Sequence, residues 1–395
     1  MPDAPREAWI TGIGMVSCLG ESADAHWQGL NEARLRLDSK SFAPYFVHPL
    51  APIDLDRLIP KKSDQRQMEG WQRIGTYAAG LALENAGLKG NPELLARTDM
   101  IVAAAGGERD TAVDGNVLTN KAKSANPEVF LNERLMSDLR PTLFLAQLPN
   151  LLAGNISLVH GVVGSSRTFM GEEAAGVDAV RIALARILAG QSELTLVGGA
   201  YHGTRWDVLL AFELGGVVLK DKFAPVWDRG PQGGIAFATM GAFLVLESKE
   251  HATARGACPR ARISRVLSDR NVRKPGDAEA SFRRQWNTIT AEVDRAHCAV
   301  ISGAAGLEPA TSAEVTVLKE IGLPVRNTGT YIGHGVDTQF MANLGIGCAT
   351  IEHSKLFAPT GTGDSGTSPA GLRQIVVTSI GNWRGEGLAL LERVN

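Results

Sequence analysis

The sequence predicts a layered α/β protein, on two observations. Short apolar segments of strand length alternate along the chain with longer amphipathic or alanine-rich segments, the pattern of a sheet covered by helices. The chain has 395 residues, of which 44% are hydrophobic and 44 are glycine. It can therefore bury a large core, and it is long enough for two closely joined halves.

The elements follow from local pattern. The predicted strands are Trp9–Ile13, Met100–Ala104, Leu194–Gly198, Phe243–Leu246, Ala299–Ile301 and Ile375–Thr378. The predicted helices are Gln67–Ala86, a short one at Leu143–Leu148 that Pro149 ends, and Glu173–Ala189. The segment Gly106–Leu139 holds few apolar residues and several asparagines and lysines, which predicts an irregular excursion on the surface.

Charge and cysteine content exclude several functions. With 40 basic and 42 acidic residues the formal charge is −2, so there is no electrostatic case for nucleic acid, and any basic patch for an acidic partner must be local. Four widely spaced cysteines without a C-x-x-C pair predict reduced, small buried residues. We expect a cytoplasmic protein, since the start MPDAPREAW is not a leader and no apolar run could span a bilayer.

No cofactor or metal ion is expected. The segment Gly361–Ser368 (GTGDSGTS) is rich in Gly, Ser and Thr, but it lacks the G-K-[ST] ending of a phosphate-binding loop. It therefore predicts a flexible turn.

The most informative segment is Gly164–Gly190, GSSRTFMGEEAAGVDAVRIALARILAG. It predicts a helix with Glu173 in the first turn, where unpaired N–H groups and the helix dipole stabilise an anion. A thiol placed there becomes an attacking thiolate, whereas a carboxylate is a poor acyl carrier. By itself the Glu172-Glu173 pair is explained by favourable charge at a helix start.

Segments spread over nearly the whole chain change that interpretation. They are WITGIGMVSCLG (Trp9–Gly20), the helix just described, LVLESKEHATARGA (Leu244–Ala257) and the loops AVISGAAGLEPATSAE (Ala299–Glu314) and NTGTYIGHGVDTQF (Asn327–Phe340). Together they resemble the beta-ketoacyl-acyl carrier protein synthases of the thiolase superfamily, the condensing enzymes of fatty acid and polyketide assembly. The segment Leu244–Ala257 is the most specific match and marks the crossing between the halves.

Taken residue by residue, the resemblance places the family's catalytic groups on altered positions. The nucleophilic cysteine falls on Glu173, the first histidine on Gly303 and the second on His334. The loop lysine falls on Gly329, and the acid nine residues after the histidine falls on Asn343. Only the second histidine is kept.

The family's closing loop, G-F-G-G-T-N, gates the acyl tunnel and supplies an oxyanion N–H. The resemblance places it on Gly381, Asn382, Trp383, Arg384 and Gly385. The phenylalanine and the paired glycines are lost. All of these altered positions meet in one pocket in the family, so we expect the pocket to have lost condensing activity.

The resemblance implies the thiolase fold, with two similar βαβαβαββ halves in a five-layered α-β-α-β-α arrangement. Residues 1–250 would form the half with the nucleophile position, and residues 251–395 the half with the histidine loops. The segment Gly106–Leu139 would correspond to an insertion at the family's dimer interface. Both interpretations of this segment, an interface element and a solvated surface loop, remain open.

Two functions remain open. The first is a chain length factor of a type II polyketide or aryl polyene system: a non-condensing partner that forms a heterodimer with an active ketosynthase, works with acyl carrier protein and shapes the growing chain. The second is an acyltransferase, decarboxylase or hydrolase on carrier-bound thioesters that uses Glu173 and His334. A homodimeric binding protein for acyl chains is a further alternative. His334 itself is either a residual catalytic contact or a loop histidine bonded to the backbone around Gly333 and Gly335.

Overall fold

The computed structural model describes residues 6–138, 145 and 147–394. The strands within these ranges are β1 (Ala8–Ser17), β2 (Gly20–Glu21), β3 (Val47–His48), β4 (Asp99–Ala103), β5 (Ser166–Phe169), β6 (Leu194–His202), β7 (Phe237–Ser248), β8 (Ala261–Asp269), β9 (Cys298–Ser302), β10 (Val325–Asn327), β11 (Gln374–Ile380) and β12 (Glu386–Glu392).

The helices of the same ranges alternate with these strands. They are α1 (Ala23–Asn31), α2 (Lys62–Gln67), α3 (Gly70–Asn85), α4 (Pro92–Arg97), α5 (Thr111–Lys121), α6 (Pro127–Ser137), α7 (Leu151–His160), α8 (Glu173–Leu188), α9 (Trp206–Glu213), α10 (Lys249–Ala254), α11 (Asp277–Ile289), α12 (Ala310–Ile321), α13 (Gly329–Ile332) and α14 (Gln339–Glu352). Short 3-10 turns occupy Leu55–Arg57, Val226–Asp228, Thr290–Glu292 and Val336–Thr338.

The sheet is built from one strand order used twice. The first half has the order β5-β4-β6-β7-β1 and the second half has β10-β9-β11-β12-β8, so corresponding strands take corresponding places. In each half the first three strands of that order are parallel, and the last two join them antiparallel. The halves meet through β1 and β8, at Trp9 opposite Arg262 and Ile10 opposite Ala261. The predicted thiolase fold with two similar halves is confirmed.

Two helices form the middle layer. α8 packs on β4 and β6 of the first half and on β8 and β12 of the second, and α14 likewise contacts β7 and β11. Apolar residues surround both helices, so their side chains are buried on nearly every face. α3 covers the first half on its outer side, and α11 and α12 cover the second. The site-bearing helix α8 therefore starts inside the protein.

Close packing of α3 on β1 depends on glycine. A Cβ on Gly12 would lie 2.5 Å from the carbonyl oxygen of Ala82, and one on Gly14 would lie 2.0 Å from that of Ala78. Both distances are well inside van der Waals contact, so a side chain at either position would push the helix away. The small residues Ala78 and Ala82 of α3, and Ala86, which caps its end, are at this contact.

Most predicted elements are present, with longer bounds. The predicted strands coincide with β1, β4, β6, β7, β9 and β11. The predicted helix Gln67–Ala86 is present as α3, but it begins at Gly70, because Met68 is extended and a capping box between Glu69 and Gln72 starts the helix. The predicted helix Leu143–Leu148 lies largely outside the described residues. The division of the chain at residue 250 stays a prediction; that position lies within α10.

The described part of the segment Gly106–Leu139, residues 106–138, is on the surface as predicted, but the irregular structure predicted for it is wrong. It contains α5 and α6. The side chain of Asp110 accepts hydrogen bonds from the N–H groups of Ala112 and Val113 and so caps α5. Pro127 is at the first position of α6, where its fixed φ favours a helix. These start signals outweigh the polar composition of the segment.

The cysteine prediction holds for three of the four. Cys18, Cys298 and Cys348 are buried, but Cys258 is exposed in the turn after α10, so its prediction as a buried residue is wrong. Burial raises the pKa of Cys18 and of Cys298 to about 12 and raises that of Cys348 as well. None of the helices in the described ranges is long and apolar enough to cross a membrane.

Native thiol labelling should therefore modify one cysteine. With 5,5′-dithiobis(2-nitrobenzoate) under native conditions we expect one equivalent of released thiolate from Cys258, because the other thiols are buried and protonated. Cys258→Ser should remove this signal, and unfolding should expose the rest. A second label in the native protein would contradict the burial described here.

Candidate functional site

Glu173 is the first residue of α8 and its side chain is buried, with 3% of the residue exposed. The edge strand β5 leads to it through a turn of three residues, so the chain enters the protein interior where the helix begins. The unpaired N–H groups of the first helical turn favour a negative charge here.

One oxygen of Glu173 joins three distant segments. Its Oε1 accepts a hydrogen bond from Nε2 of His334 at 3.1 Å and one from Nδ2 of Asn382 at 2.7 Å. For Oε1 to accept this hydrogen bond, the imidazole must carry its proton on Nε2. The interpretation of His334 as a histidine bonded to the surrounding backbone is therefore wrong, since its ring contacts the residue at the nucleophile position.

The second oxygen of Glu173 is different. Oε2 is buried and has no hydrogen-bond partner among the described residues. A Cβ on Gly381 would lie 3.2 Å from it, so glycine leaves the space beside this oxygen open.

The backbone around His334 is fixed on both sides. Its N–H donates to the carbonyl of Ala236 at 2.9 Å, and its carbonyl accepts from Ala238 at 3.0 Å, which ties the loop to the start of β7. The turn Val336–Thr338 then approaches α8 so closely that a Cβ on Gly176 would lie 2.1 Å from the carbonyl oxygen of Asp337. Glycine at position 176 thus lets the histidine loop and Glu173 meet.

The loop between β11 and β12 holds Asn382 in place. The N–H of Gly381 donates to the carbonyl of Gly385 at 2.8 Å. The guanidinium of Arg273 donates to the carbonyl oxygens of Gly381 and Gly385. Arg273 also pairs with the buried Glu386. Sequence reasoning missed Arg273, since nothing in the local pattern connects it with a loop more than a hundred residues later.

The other loop residues face outward. Trp383 is partly exposed and its ring centroid lies 5.5 Å from that of Phe212. Arg384 pairs with Glu172 at 3.1 Å, next to Glu173 in the chain. The structure therefore brings Asn382 to Glu173, while Trp383 and Arg384 close the loop over the turn before α8.

Gly303 follows β9, and its backbone is closely packed. Its N–H donates to the hydroxyl of Thr378 at 3.4 Å, and a Cβ would lie only 2.5 Å from the carbonyl oxygen of Thr378. At Gly329 a Cβ would lie 3.2 Å from the carbonyl oxygen of Ala304. The positions that the resemblance assigns to the family's first histidine and lysine have thus lost both the side chains and the room for them.

Two further carboxyl groups are fully buried nearby. Burial raises the pKa of Asp337 to about 8, and the charge of Glu173 adds to that effect. Burial also raises the pKa of Glu314, whose Oε1 accepts hydrogen bonds from the hydroxyls of Ser302 and Thr378. Each acid has one oxygen without a partner among the residues described. Both acids are expected to be neutral at low and moderate pH.

The comparisons with known proteins agree with this architecture. The family model of the beta-ketoacyl synthase N-terminal domain matches residues 6–252. The chain belongs to the beta-ketoacyl synthase family. It is 26% identical over 263 residues to 3-oxoacyl-[acyl-carrier-protein] synthase 2 of Vibrio harveyi, covering 64% of this chain and 60% of that protein. It is also 26% identical over 277 residues to nodulation protein E of Rhizobium leguminosarum bv. trifolii, covering 66% of this chain and 63% of that protein. The match thus spans less than two thirds of either relative's length.

Solved structures of the family show the same fold. The ishigamide ketosynthase/chain length factor aligns with a TM-score of 0.79 at 19% identity and covers 99% of this chain and 100% of that chain. AntDE:AntF, a type II polyketide synthase acyl-carrier protein in complex with its ketosynthase, aligns with a TM-score of 0.73 at 17% identity, covering 98% of this chain and 100% of that chain. At these identities the likeness establishes the fold.

The buried Asp337 predicts a pH-dependent stability. Its pKa is raised on folding, so the folded state holds a proton that the unfolded state releases, and stability falls as pH rises from about 4 to about 8. Asp337→Asn should raise the melting temperature by a few degrees at pH 8 and change it little at pH 4.

The control is the exposed Asp221→Asn, which should leave the pH profile unchanged. Thermal melts of the three proteins between pH 4 and pH 9 measure this. If Asp337→Asn lowered stability most at pH 8, Asp337 would be a paired carboxylate and the assignment of a neutral acid would be wrong.

Proposed function

We propose that this chain is a chain length factor: a non-condensing subunit that forms a heterodimer with an active beta-ketoacyl synthase in fatty acid or polyketide biosynthesis, aryl polyene pathways included. The observation that carries the proposal is the buried carboxylate of Glu173, held by His334 and Asn382 where the family has its cysteine. Such a subunit would shape the space in which its partner extends the chain.

The chemistry of condensation supports the proposal. Decarboxylative condensation needs a thiolate that carries the acyl group and hydrogen-bond donors that stabilise the enolate. A carboxylate at position 173 cannot form the thioester. Its Oε1 also occupies the donors of His334 and Asn382, which are then withdrawn from any substrate oxygen. Groups that act as a unit lose orders of magnitude in rate when one is removed.

The packing at Gly303, which the resemblance assigns to the family's first histidine, also supports a non-condensing subunit. A single reverse substitution at Glu173 would restore the sulfur but not the second donor, because a Cβ on Gly303 would lie 2.5 Å from the carbonyl oxygen of Thr378. The proposed loss of condensing activity therefore depends on the packing of the backbone as well as on the side chains.

A partner surface is available beside the site. β5 is the last strand on its side of the sheet, and Ser166 and Arg167 on it are exposed. α5 and α6, which lie between β4 and β5 in the chain, expose large apolar side chains, among them Leu118 and Met136, the latter 81% exposed. Exposed apolar groups of this size favour contact with another protein. We assign the surface of α5 and α6 to the ketosynthase partner.

Acyl carrier protein is the proposed second partner. A solved structure with the same fold contains an acyl-carrier protein in complex with its ketosynthase. An acidic carrier would need a local basic patch, since the chain as a whole has a charge of −2.

One observation favours a second candidate function. Glu173 Oε2 is buried without a partner among the described residues, so one oxygen is left to take or give a proton. With His334 beside it, the site could act on carrier-bound thioesters as an acyltransferase, decarboxylase or hydrolase.

Glu173→Gln separates the two candidates. The amide has nearly the same shape and its carbonyl oxygen accepts the same two hydrogen bonds. We therefore expect product formation by the reconstituted ketosynthase pair to be unchanged, measured by chromatography of the released chains. A general acid or base would lose about 100-fold or more in rate. The control is the active-site Cys→Ser variant of the partner, which should abolish the product.

The heterodimer is tested by co-expression with a cysteine-bearing ketosynthase. We expect the two chains to co-purify, because the surface of α5 and α6 is apolar and exposed. Met136→Asp should reduce co-purification, since it places a charge in the buried contact, while Leu35→Asp, at an exposed apolar site after α1, should not. A stable homodimer of this chain that condenses malonyl and acyl carrier proteins by itself would refute the proposal.

A further inference from the structure

A chamber of about 360 Å³ lies beside the start of α8. One end is formed by Gly171, Glu172 and Val336, the residues that flank Glu173 and the histidine loop. An engineered cavity of ~150 Å³ already holds a benzene molecule, so this chamber has room for a ring with a short chain attached. Its volume is also in the range of small-molecule sites.

The walls of the chamber are largely aromatic and aliphatic. Trp71, Tyr201 and Phe212 contribute rings, and Val208 and Ala211 of α9 complete the apolar lining. Flat apolar groups bind well between such rings. The walls thus favour an aromatic ligand over a polar one.

One residue of the chamber lining, His202, is in direct contact with the carboxyl group of Glu108. Nδ1 of His202 lies 2.8 Å from Oε1 of Glu108, and the N–H of Trp71 donates to the same oxygen at 2.5 Å. Burial of Glu108 opposes its ionisation, but its hydrogen bond to His202, the charge of Arg205 and the hydrogen bond from the backbone N–H of Trp71 lower its pKa below the usual value. Glu108 is therefore a carboxylate.

The carboxylate determines how the imidazole faces the chamber. Nδ1 carries the proton because it faces an anion, and in the neutral ring Nε2 then has a free lone pair. The Nδ1 and Cε1 side of the ring is packed against Gly70, where a Cβ would lie 2.7 Å from Nδ1. Nε2 makes no hydrogen bond to any residue in the described ranges, and His202 lines the chamber.

The guanidinium of Arg205, next to His202 in the chamber, is already paired with carboxylates. Arg205 donates to Asp207 through Nε at 2.9 Å and through Nη2, and its Nη1 lies 3.5 Å from Glu108. An anionic ligand would have to displace these carboxylates. Arg109 and Glu172 of the lining are also paired, with Asp114 and Arg384. The acceptor nitrogen of His202 calls for a neutral donor such as a hydroxyl.

We propose that this chamber binds an aromatic group that carries a hydroxyl, and that Nε2 of His202 accepts the hydrogen bond of that hydroxyl. Glu108 is a positioning residue: it fixes the tautomer and orientation of the ring. The inference concerns ligand binding by this chain and does not depend on its pairing with a ketosynthase.

Two neutral probes that differ by one hydroxyl test the proposal. Binding of 4-hydroxycinnamamide and cinnamamide to the purified protein is measured by titration calorimetry. A hydrogen bond of about 1 kcal/mol predicts a preference of about fivefold for the hydroxylated probe. Equal affinity for the two probes, or no binding of either, would overturn the proposal.

Substitutions of His202 and Glu108 test whether these two residues cause the preference for the hydroxylated probe. His202→Phe should bind cinnamamide but lose the preference, and Glu108→Gln, which keeps an acceptor for Nδ1, should reduce it without removing it. His353→Phe changes a histidine outside the chamber that stacks on Trp27 and should keep the preference. Circular dichroism confirms folding of each variant. A preference that survives in His202→Phe would also overturn the proposal.

Discussion

The interaction on which the site depends is the pair of hydrogen bonds that Oε1 of Glu173 accepts from His334 and Asn382. It joins the start of α8, the loop before α14 and the loop between β11 and β12, three segments from both halves of the sheet. A negative group is favoured at a helix start, and here two donors point at it. The resemblance assigns the family's cysteine to this position, so we infer that the same fold that would position a thiolate here positions a carboxyl group.

The residues around Glu173 are also arranged to keep its carboxyl group in place. Gly303 and Gly329 pack where side chains cannot return without moving backbone carbonyls. Arg273 fixes the loop that presents Asn382. Burial raises the pKa of Asp337 to about 8, which limits the negative charge close to Glu173. The pocket is thus stable without the groups that condensation needs.

Local pattern predicted the layered α/β class and the helix that begins at Glu173, and the resemblance implied the thiolase fold with two similar halves. Apolar strands and the helix with Glu173 in its first turn are visible in order along the chain. The sequence could not predict that His334 contacts Glu173, nor that Arg273 holds the loop of Asn382, since those contacts join residues far apart in sequence. It also missed α5 and α6, where Asp110 and Pro127 start helices in polar surroundings, and the Glu108–His202 pair, which forms only when the end of β6 meets the segment after β4.

Intact-protein mass spectrometry tests the central claim most directly. This chain and its ketosynthase partner are incubated with acyl carrier protein loaded with an acyl thioester, and each subunit is weighed. The account predicts an added acyl mass on the partner's cysteine and none on this chain, because a hydrogen-bonded carboxylate does not take over the acyl group. An acyl mass on this chain that maps to Glu173 would contradict it.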